Sequence, residues 1–179
     1  MIDTGYLGMR LFVSENDRPN LEFFAHCADG ALHLQQCAGC GLMRYPPSAG
    51  CPFCGCAESR WRPVEAAGTV YSFTEIHHAT NPAFRPFLPY AVAIVELDDQ
   101  RGVPTEGAAL RIPGVVAMAD GNFASPDVVR KIGINMRMRA SYRNVCDGMA
   151  LLVWTPDEKN GDDRVWRPNH AMGGTEESR

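Results

Sequence analysis

The sequence predicts a mainly β protein with short helices: an N-terminal helical segment, a ribbon held by a metal, and a five-stranded barrel. Three observations carry that prediction. Two C-x-x-C pairs, Cys37–Cys40 and Cys51–Cys54, stand close enough in the chain to present four thiolates to one ion. From Gly68 onward, short segments alternate apolar and polar residues with the period of a strand. Between the third and fourth of these segments, Ser125-Pro126 supplies a helix cap followed by a first-turn proline.

The chain has 179 residues, 45% of them hydrophobic, enough for one moderate core plus a small metal-stabilised module but not for two large domains. Its formal net charge of -4 argues against a nucleic-acid partner, because neutralising phosphates draws on a net basic surface. Seven cysteines make an odd total, and Cys27 and Cys146 have no partner at ligand spacing, so a reducing cytoplasm is expected rather than a disulfide framework. The sequence shows no signal-peptide pattern and no stretch long enough to span a bilayer, so no membrane partner is expected.

Along the chain, residues 1–19 carry only one short apolar stretch, Leu11-Phe12-Val13, and support no firm assignment. Asn20 is placed to cap a short helix whose Leu21, Phe24, Ala25 and Ala28 share one face before Gly30 ends it. That face is expected to pack on its own domain. Extension and helix together occupy 1–30.

Leu32 and Leu34 then alternate with His33 and Gln35 as a strand entering the first knuckle. Gly41 and Gly55, just beyond the two C-x-x-C pairs, suit the left-handed backbone that turns amide N–H groups toward the sulfurs. Four thiolates around Zn(II) form a closed tetrahedron with no position for a substrate, so Cys37, Cys40, Cys51 and Cys54 are expected to hold a structural metal. Iron in the same sulfurs, as in an electron carrier, is a competing reading, because thiolate geometry alone does not separate the two metals. Buried thiols or two disulfides compete as well. Cys56 is close enough in sequence to rival Cys54 as fourth ligand, but Cys54 preserves the C-x-x-C turn. Pro46-Pro47 extends the chain between the knuckles and Trp61-Arg62-Pro63 marks the exit, which gives a zinc ribbon over 31–63 that needs its metal as a staple.

The barrel follows over 64–156. Its first strand, Gly68–His77, carries bulk on both faces and is expected to curve. The second runs Tyr90–Asp98 and the third Glu106–Ile112, and the helix after Ser125 uses Val128, Val129 and Ile132 before Gly133 stops it. The fourth, Ile134–Ser141, sets Ile134, Met136, Met138 and Ala140 against Asn135, Arg137 and Arg139, and the fifth runs Met149–Trp154. Three strands, a helix and two strands is the order of the OB-fold, a five-stranded Greek-key barrel. A charged, glycine-containing tail fills 157–179, with Val165 and Trp166 as its possible anchors.

An ordered series of motifs runs through residues 20 to 155: Phe23-Phe24, Gly30, Leu34, Cys37-Ala-Gly-Cys40-Gly41, Pro46-Pro47, Cys51-Pro-Phe-Cys54-Gly55, Trp61, Gly68-Thr-Val-Tyr-Ser72 and Pro89-Tyr-Ala-Val-Ala-Ile-Val-Glu-Leu97. On these residues the chain resembles the rubredoxin-like zinc-ribbon and OB-fold proteins that accompany thiolase-superfamily enzymes and some acyl-CoA hydratases. The resemblance implies a hetero-oligomeric accessory subunit that supports a thiolase-like chain and helps form its acyl-CoA channel, the partner acting by thiolysis, acyl transfer or retro-aldol cleavage. It leaves open whether this chain counts as an enzyme. The N-terminal segment and the tail depart from the simplest members.

No catalytic constellation stands out in the residues. His77-His78 offers acid–base groups, but no nucleophile or carboxylate accompanies it at a telling spacing, and Asp98-Asp99 reads as a turn. The loop from Asn81 to Tyr90 combines three prolines with Phe84, Phe87 and Tyr90, a stiff apolar surface suited to a partner or to a lid over pantetheine, or simply to capping the barrel. Arg85, Arg137, Arg139 and Arg143 are candidates to meet the phosphates of an acyl-CoA ligand. The alternative class is an OB-fold nucleic-acid module, against which the apolar second strand with its Glu96 counts.

Overall fold

Leu7 and Gly8 both take positive φ, 51° and 76°, and reverse the chain between β1 (Ile2–Tyr6) and β2 (Met9–Val13). This antiparallel hairpin lies where sequence reasoning assigns nothing, because exposed Phe12 blurs the alternation that half-buried Met9, Leu11 and Val13 follow. The computed structural model describes residues 2–157 and 165–168.

Helix α1 (Arg18–Ala28) starts earlier than the Asn20 cap predicts. Pro19 fits only the first turn of a helix, which puts Asp17 at the cap position, and the Asn20 amide instead donates to both Asp17 carboxylate oxygens at 3.0 and 2.9 Å. Phe23 and Cys27 are its buried residues, with Phe24 and Ala28 packed beside them.

The ribbon sheet follows as β3 (His33–Cys37), β4 (Met43–Arg44) and β5 (Ser59–Pro63), in the order β4-β3-β5. The barrel then begins with β6 (Ala67–Ile76), bent by a register shift between Val70 and Ser72, and β7 (Tyr90–Leu97). The third barrel strand, β8 (Arg111–Val115), lies downstream of the expected Glu106–Ile112. Pro104 and Gly107 occupy a loop there, closed by Ala108 N–H to the Thr105 carbonyl at 2.8 Å, and pairing with β7 starts only at Arg111.

After α2 (Pro126–Val129), capped by Ser125, β9 (Arg137–Cys146) begins three residues later than the predicted Ile134 and runs five beyond Ser141. Asn135 has φ of 69° and donates its N–H to the Val70 carbonyl, a turn that interrupts the alternation before the strand. β10 (Met149–Pro156) completes the sheet β10-β9-β6-β7-β8. A parallel bridge from Val116 to Trp154 links the two ends, with Ala117 N–H to the Trp154 carbonyl at 2.8 Å, and closes the sheet as an OB-fold barrel.

One core runs through all of it. Trp154 is fully buried, its indole N–H donating to the Ile112 carbonyl at 3.1 Å, and it packs with Val95, Leu97, Ile112, Val116 and Met138. Phe23 and Cys27 of α1, and Leu32, Leu34 and Met43 of the ribbon, belong to the same cluster. The helix packs on its own chain, against β10, but on a face centred on Phe23 and Cys27 rather than on the expected Leu21 and Ala25, with Phe24 and Ala28 at its margin. In the expected tail, Trp166 exchanges both backbone hydrogen bonds with Ile134, at 2.8 and 3.0 Å, and a Cβ on Gly133 would meet the Trp166 carbonyl oxygen at 2.6 Å. Trp166 itself is exposed, so the anchor is backbone pairing rather than a buried indole. The remainder of the expected tail lies outside the described residues.

Polar and aromatic contacts join the ribbon to its neighbours on both sides. The Gln100 side chain accepts from Met43 N–H at 2.6 Å and donates to the Met43 carbonyl at 3.0 Å. Across the other face, His26 of α1 stacks on His33 with ring centroids 4.1 Å apart, and the Trp61 indole N–H donates to the Glu22 carboxylate at 2.7 Å. Burial and His33 hold His26 below its ordinary pKa, against the opposing pull of Asp29 and Glu22.

Replacing Gln100 with alanine leaves Met43 without its partner and is expected to lower unfolding stability by about 1–3 kcal/mol in denaturant titration. Because the fold favours neutral His26, its contribution is fully present above the ordinary pKa of 6.5 and is lost as pH falls through the lower folded value. His26→Gln should therefore flatten the fall of melting temperature on acidification below that pH.

Candidate metal centre

Each knuckle is built by its own backbone. After the first pair, Gly41 with φ of 75° donates its N–H to the Cys37 carbonyl at 3.0 Å, and after the second, Gly55 with φ of 76° does the same to Cys51 at 2.9 Å. A side chain at either glycine would sit in a strained left-handed backbone, so these positions explain why the turns close. Amide groups then point at sulfur: Gly39 and Cys40 approach Cys37 Sγ at 3.3 and 3.5 Å.

The result brings Cys37, Cys40, Cys51 and Cys54 together, all four sulfurs within 4.8 Å of one another. Cys37 and Cys54 are separated by 3.6 Å between sulfurs, as are Cys40 and Cys51. Those separations are far beyond a disulfide bond, and all seven cysteines are free. They match the edge of about 3.8 Å that a tetrahedron with metal–sulfur bonds near 2.3 Å requires. The residues therefore fit a soft divalent ion, and four cysteines here are able to hold a metal.

The thiol chemistry points the same way. Hydrogen bonding from the Cys40 amide, then from Gly39, outweighs burial and brings Cys37 down to about 6. At Cys54 the Cys56 amide pulls downward, but Cys37, burial, Cys40 and Cys51 together push the thiol up to about 12. Four adjacent sulfurs do not ionise together without a cation among them. Cys56 stands outside this group, its sulfur facing the Glu58 carbonyl at 3.7 Å. Cys27 is a core thiol that burial pushes to about 12.

The other candidates fall into two separate places. Phe84, Phe87 and Tyr90 gather around Phe123, with centroids 6.2, 4.3 and 5.5 Å from its ring. Arg143 joins them, its guanidinium 5.4 Å from both the Phe123 and Tyr6 rings, and the Asn81 amide reaches Met9 Sδ at 3.0 Å, so the N-terminal hairpin packs on this corner. Arg85 is exposed beside it, with no ion pair among the described residues. Phe123 and Tyr6 were not legible as members of this cluster, since their contacts come from distant loops.

Arg137 and Arg139 lie elsewhere. They pair with Thr69 and Ala67 near the start of β6, whereas Tyr90 pairs with Ile76 at its far end, a separation of about 20 Å. Arg137 is held by both Asp98 oxygens at 2.9 and 2.7 Å and keeps that carboxyl below its usual range, and Arg139 lies 3.6 Å from Asp157. His77 faces Glu75 at 3.4 Å, and both His77 and His78 are exposed. Among the described residues, no helix is long and apolar enough to cross a membrane.

The family model described as the ChsH2 C-terminal OB-fold domain matches residues 61–143. A structure of the Ltp2-ChsH2(DUF35) aldolase contains a chain 30% identical to this one, matched over 80% of this chain and 98% of that chain with a TM-score of 0.60. A "Probable enoyl-CoA hydratase alpha subunit" of Thermomonospora curvata is 37% identical over 142 residues, 78% of this chain. The chain spans only 38% of the length of that curated relative. A DUF35-family protein of unknown function from Sulfolobus solfataricus aligns at 13% identity, over 79% of this chain and 87% of that one, with a TM-score of 0.46. The chain belongs to the acyl-CoA-associated OB-fold family of ChsH2 and the DUF35 proteins.

Proposed function

We propose that this chain is a zinc-binding, non-catalytic accessory subunit of a cytoplasmic thiolase-superfamily complex acting on acyl-CoA thioesters. The observation that carries the reading is the match along 98% of a chain of the Ltp2-ChsH2(DUF35) aldolase. That likeness favours retro-aldol carbon–carbon cleavage over thiolysis or acyl transfer as the partner's reaction. Zinc fits the closed tetrathiolate better than a reactive metal, because no coordination position is left for a substrate.

Within this reading, the loop carrying Phe84, Arg85, Phe87 and Tyr90 meets the partner and the acyl-CoA. Its rings hold one another through Phe123, so little conformational freedom is lost on docking. Arg85 and Arg143 are the cations nearest that corner, while Arg137 already serves Asp98. The nucleic-acid alternative is disfavoured by the same pairing pattern: Arg101 and Arg111 meet Glu96, Arg139 meets Asp157, and the net charge is -4.

Purification of the chain from its own cells at low salt, with mass spectrometry of what accompanies it, tests the reading. A stoichiometric thiolase-like or hydratase-like chain is the expected companion; nucleic acid, or no stoichiometric partner, overturns it. Alanine at Phe84 and Phe87 is expected to weaken complex formation or apparent thioester affinity about tenfold, whereas unchanged values would leave the loop as barrel packing alone. In metal analysis of the purified protein, Cys54→Ser should lose zinc and Cys56→Ser should retain one ion per chain; the reverse pattern would make Cys56 the ligand.

A further inference from the structure

Arg44 on β4 is only 3% exposed, and it and Gln35 are the two buried polar side chains of the described core. Its Nε donates to Gln35 Oε1 at 3.0 Å, and one terminal nitrogen donates to the Ser48 carbonyl at 2.9 Å and to Ser59 Oγ at 3.2 Å. The other terminal nitrogen is buried without a partner. Every acceptor around the guanidinium is neutral, and no carboxylate among the described residues forms an ion pair with it. An arginine stays protonated in a protein, and burying its charge is costly unless an opposite charge and hydrogen bonds answer it.

The acceptors that hold Arg44 belong to the segments that carry the cysteines. Gln35 precedes Cys37 by two residues on β3 and so shares its face of the sheet, and Ser59 is the cross-strand partner of Cys37. Ser48 lies just ahead of Cys51, and its N–H donates to the same Gln35 oxygen at 2.9 Å. The guanidinium is thus held by a residue two positions before Cys37, by the cross-strand partner of Cys37 and by a residue three positions before Cys51. Four thiolates around one divalent ion carry a net charge of -2, and no other buried cation is found among the described residues.

We propose that Arg44 is the positioning residue of the metal centre: its buried positive charge offsets the excess negative charge of the tetrathiolate while its fork ties the second knuckle to β3. The inference rests on the metal reading above. It assigns a role to a residue that is not a ligand and that no cysteine spacing reveals.

The test compares the wild-type chain with Arg44→Met, Arg44→Gln and Arg44→Lys. Zinc affinity is measured by competition with a chromophoric chelator and Co(II) uptake by the thiolate charge-transfer absorption, with the barrel monitored separately by circular dichroism. Both neutral variants are expected to bind metal about ten- to a hundredfold more weakly. Arg44→Lys, which restores the charge without the fork, is expected to recover most of that loss. Wild-type affinity in a folded neutral variant overturns the role of Arg44, and so does a lysine variant as weak as the neutral ones, which reduces the residue to hydrogen bonding. Should methionine prevent folding, the glutamine variant, which keeps hydrogen-bonding capacity, carries the comparison with lysine. Failure of the wild-type chain to take up either metal overturns the metal reading itself, a result distinct from the other two.

Discussion

Four sulfurs confined within 4.8 Å impose the constraint on which the ribbon depends. They repel as they ionise: backbone amides hold Cys37 down at about 6, and with that neighbour charged the sulfurs around Cys54, together with burial, drive it up to about 12. A cation at their centre turns that repulsion into four bonds. The local backbone is arranged for this outcome, with glycine turns behind each pair and amide groups directed at sulfur.

The ribbon is not an independent bead on the chain. Its apolar residues Leu32, Leu34 and Met43 share one core with α1 and with the barrel around Trp154. The four-cysteine cluster at one end and indole packing at the other therefore flank a continuous body of buried side chains. The corner formed by Phe84, Phe87, Tyr90 and Phe123 sits on that body, braced by the N-terminal hairpin. A surface supported in this way has little conformational freedom left to lose.

What was legible in the sequence was local. Ligand spacing, the glycines after each knuckle, the Ser125 cap and the alternation of β6 and β7 depend on neighbours a few residues away. What was not legible depends on distant partners. Asn135 turns because it bonds to Val70, so the start of β9 moved, and the loop around Pro104 delayed β8 until β7 offered pairing. Asn20 looked like a cap only while the demand of Pro19 went unweighed. No local spacing marks Arg44 as buried, and only the register of β6 shows that Arg137 and Arg139 lie at the opposite end of that strand from the aromatic loop.

The Gln100 amide has one consequence beyond joining two modules. It presents a donor and an acceptor to Met43 in the manner of a peptide group on an adjacent strand. The outer edge of β4 is thereby occupied by a single side chain, which denies it to the backbone of any other molecule. Exposed strand edges are where chains add to one another into aggregates. A residue in a barrel turn thus serves as the stopper of the ribbon sheet, keeping a two-residue strand from becoming a template.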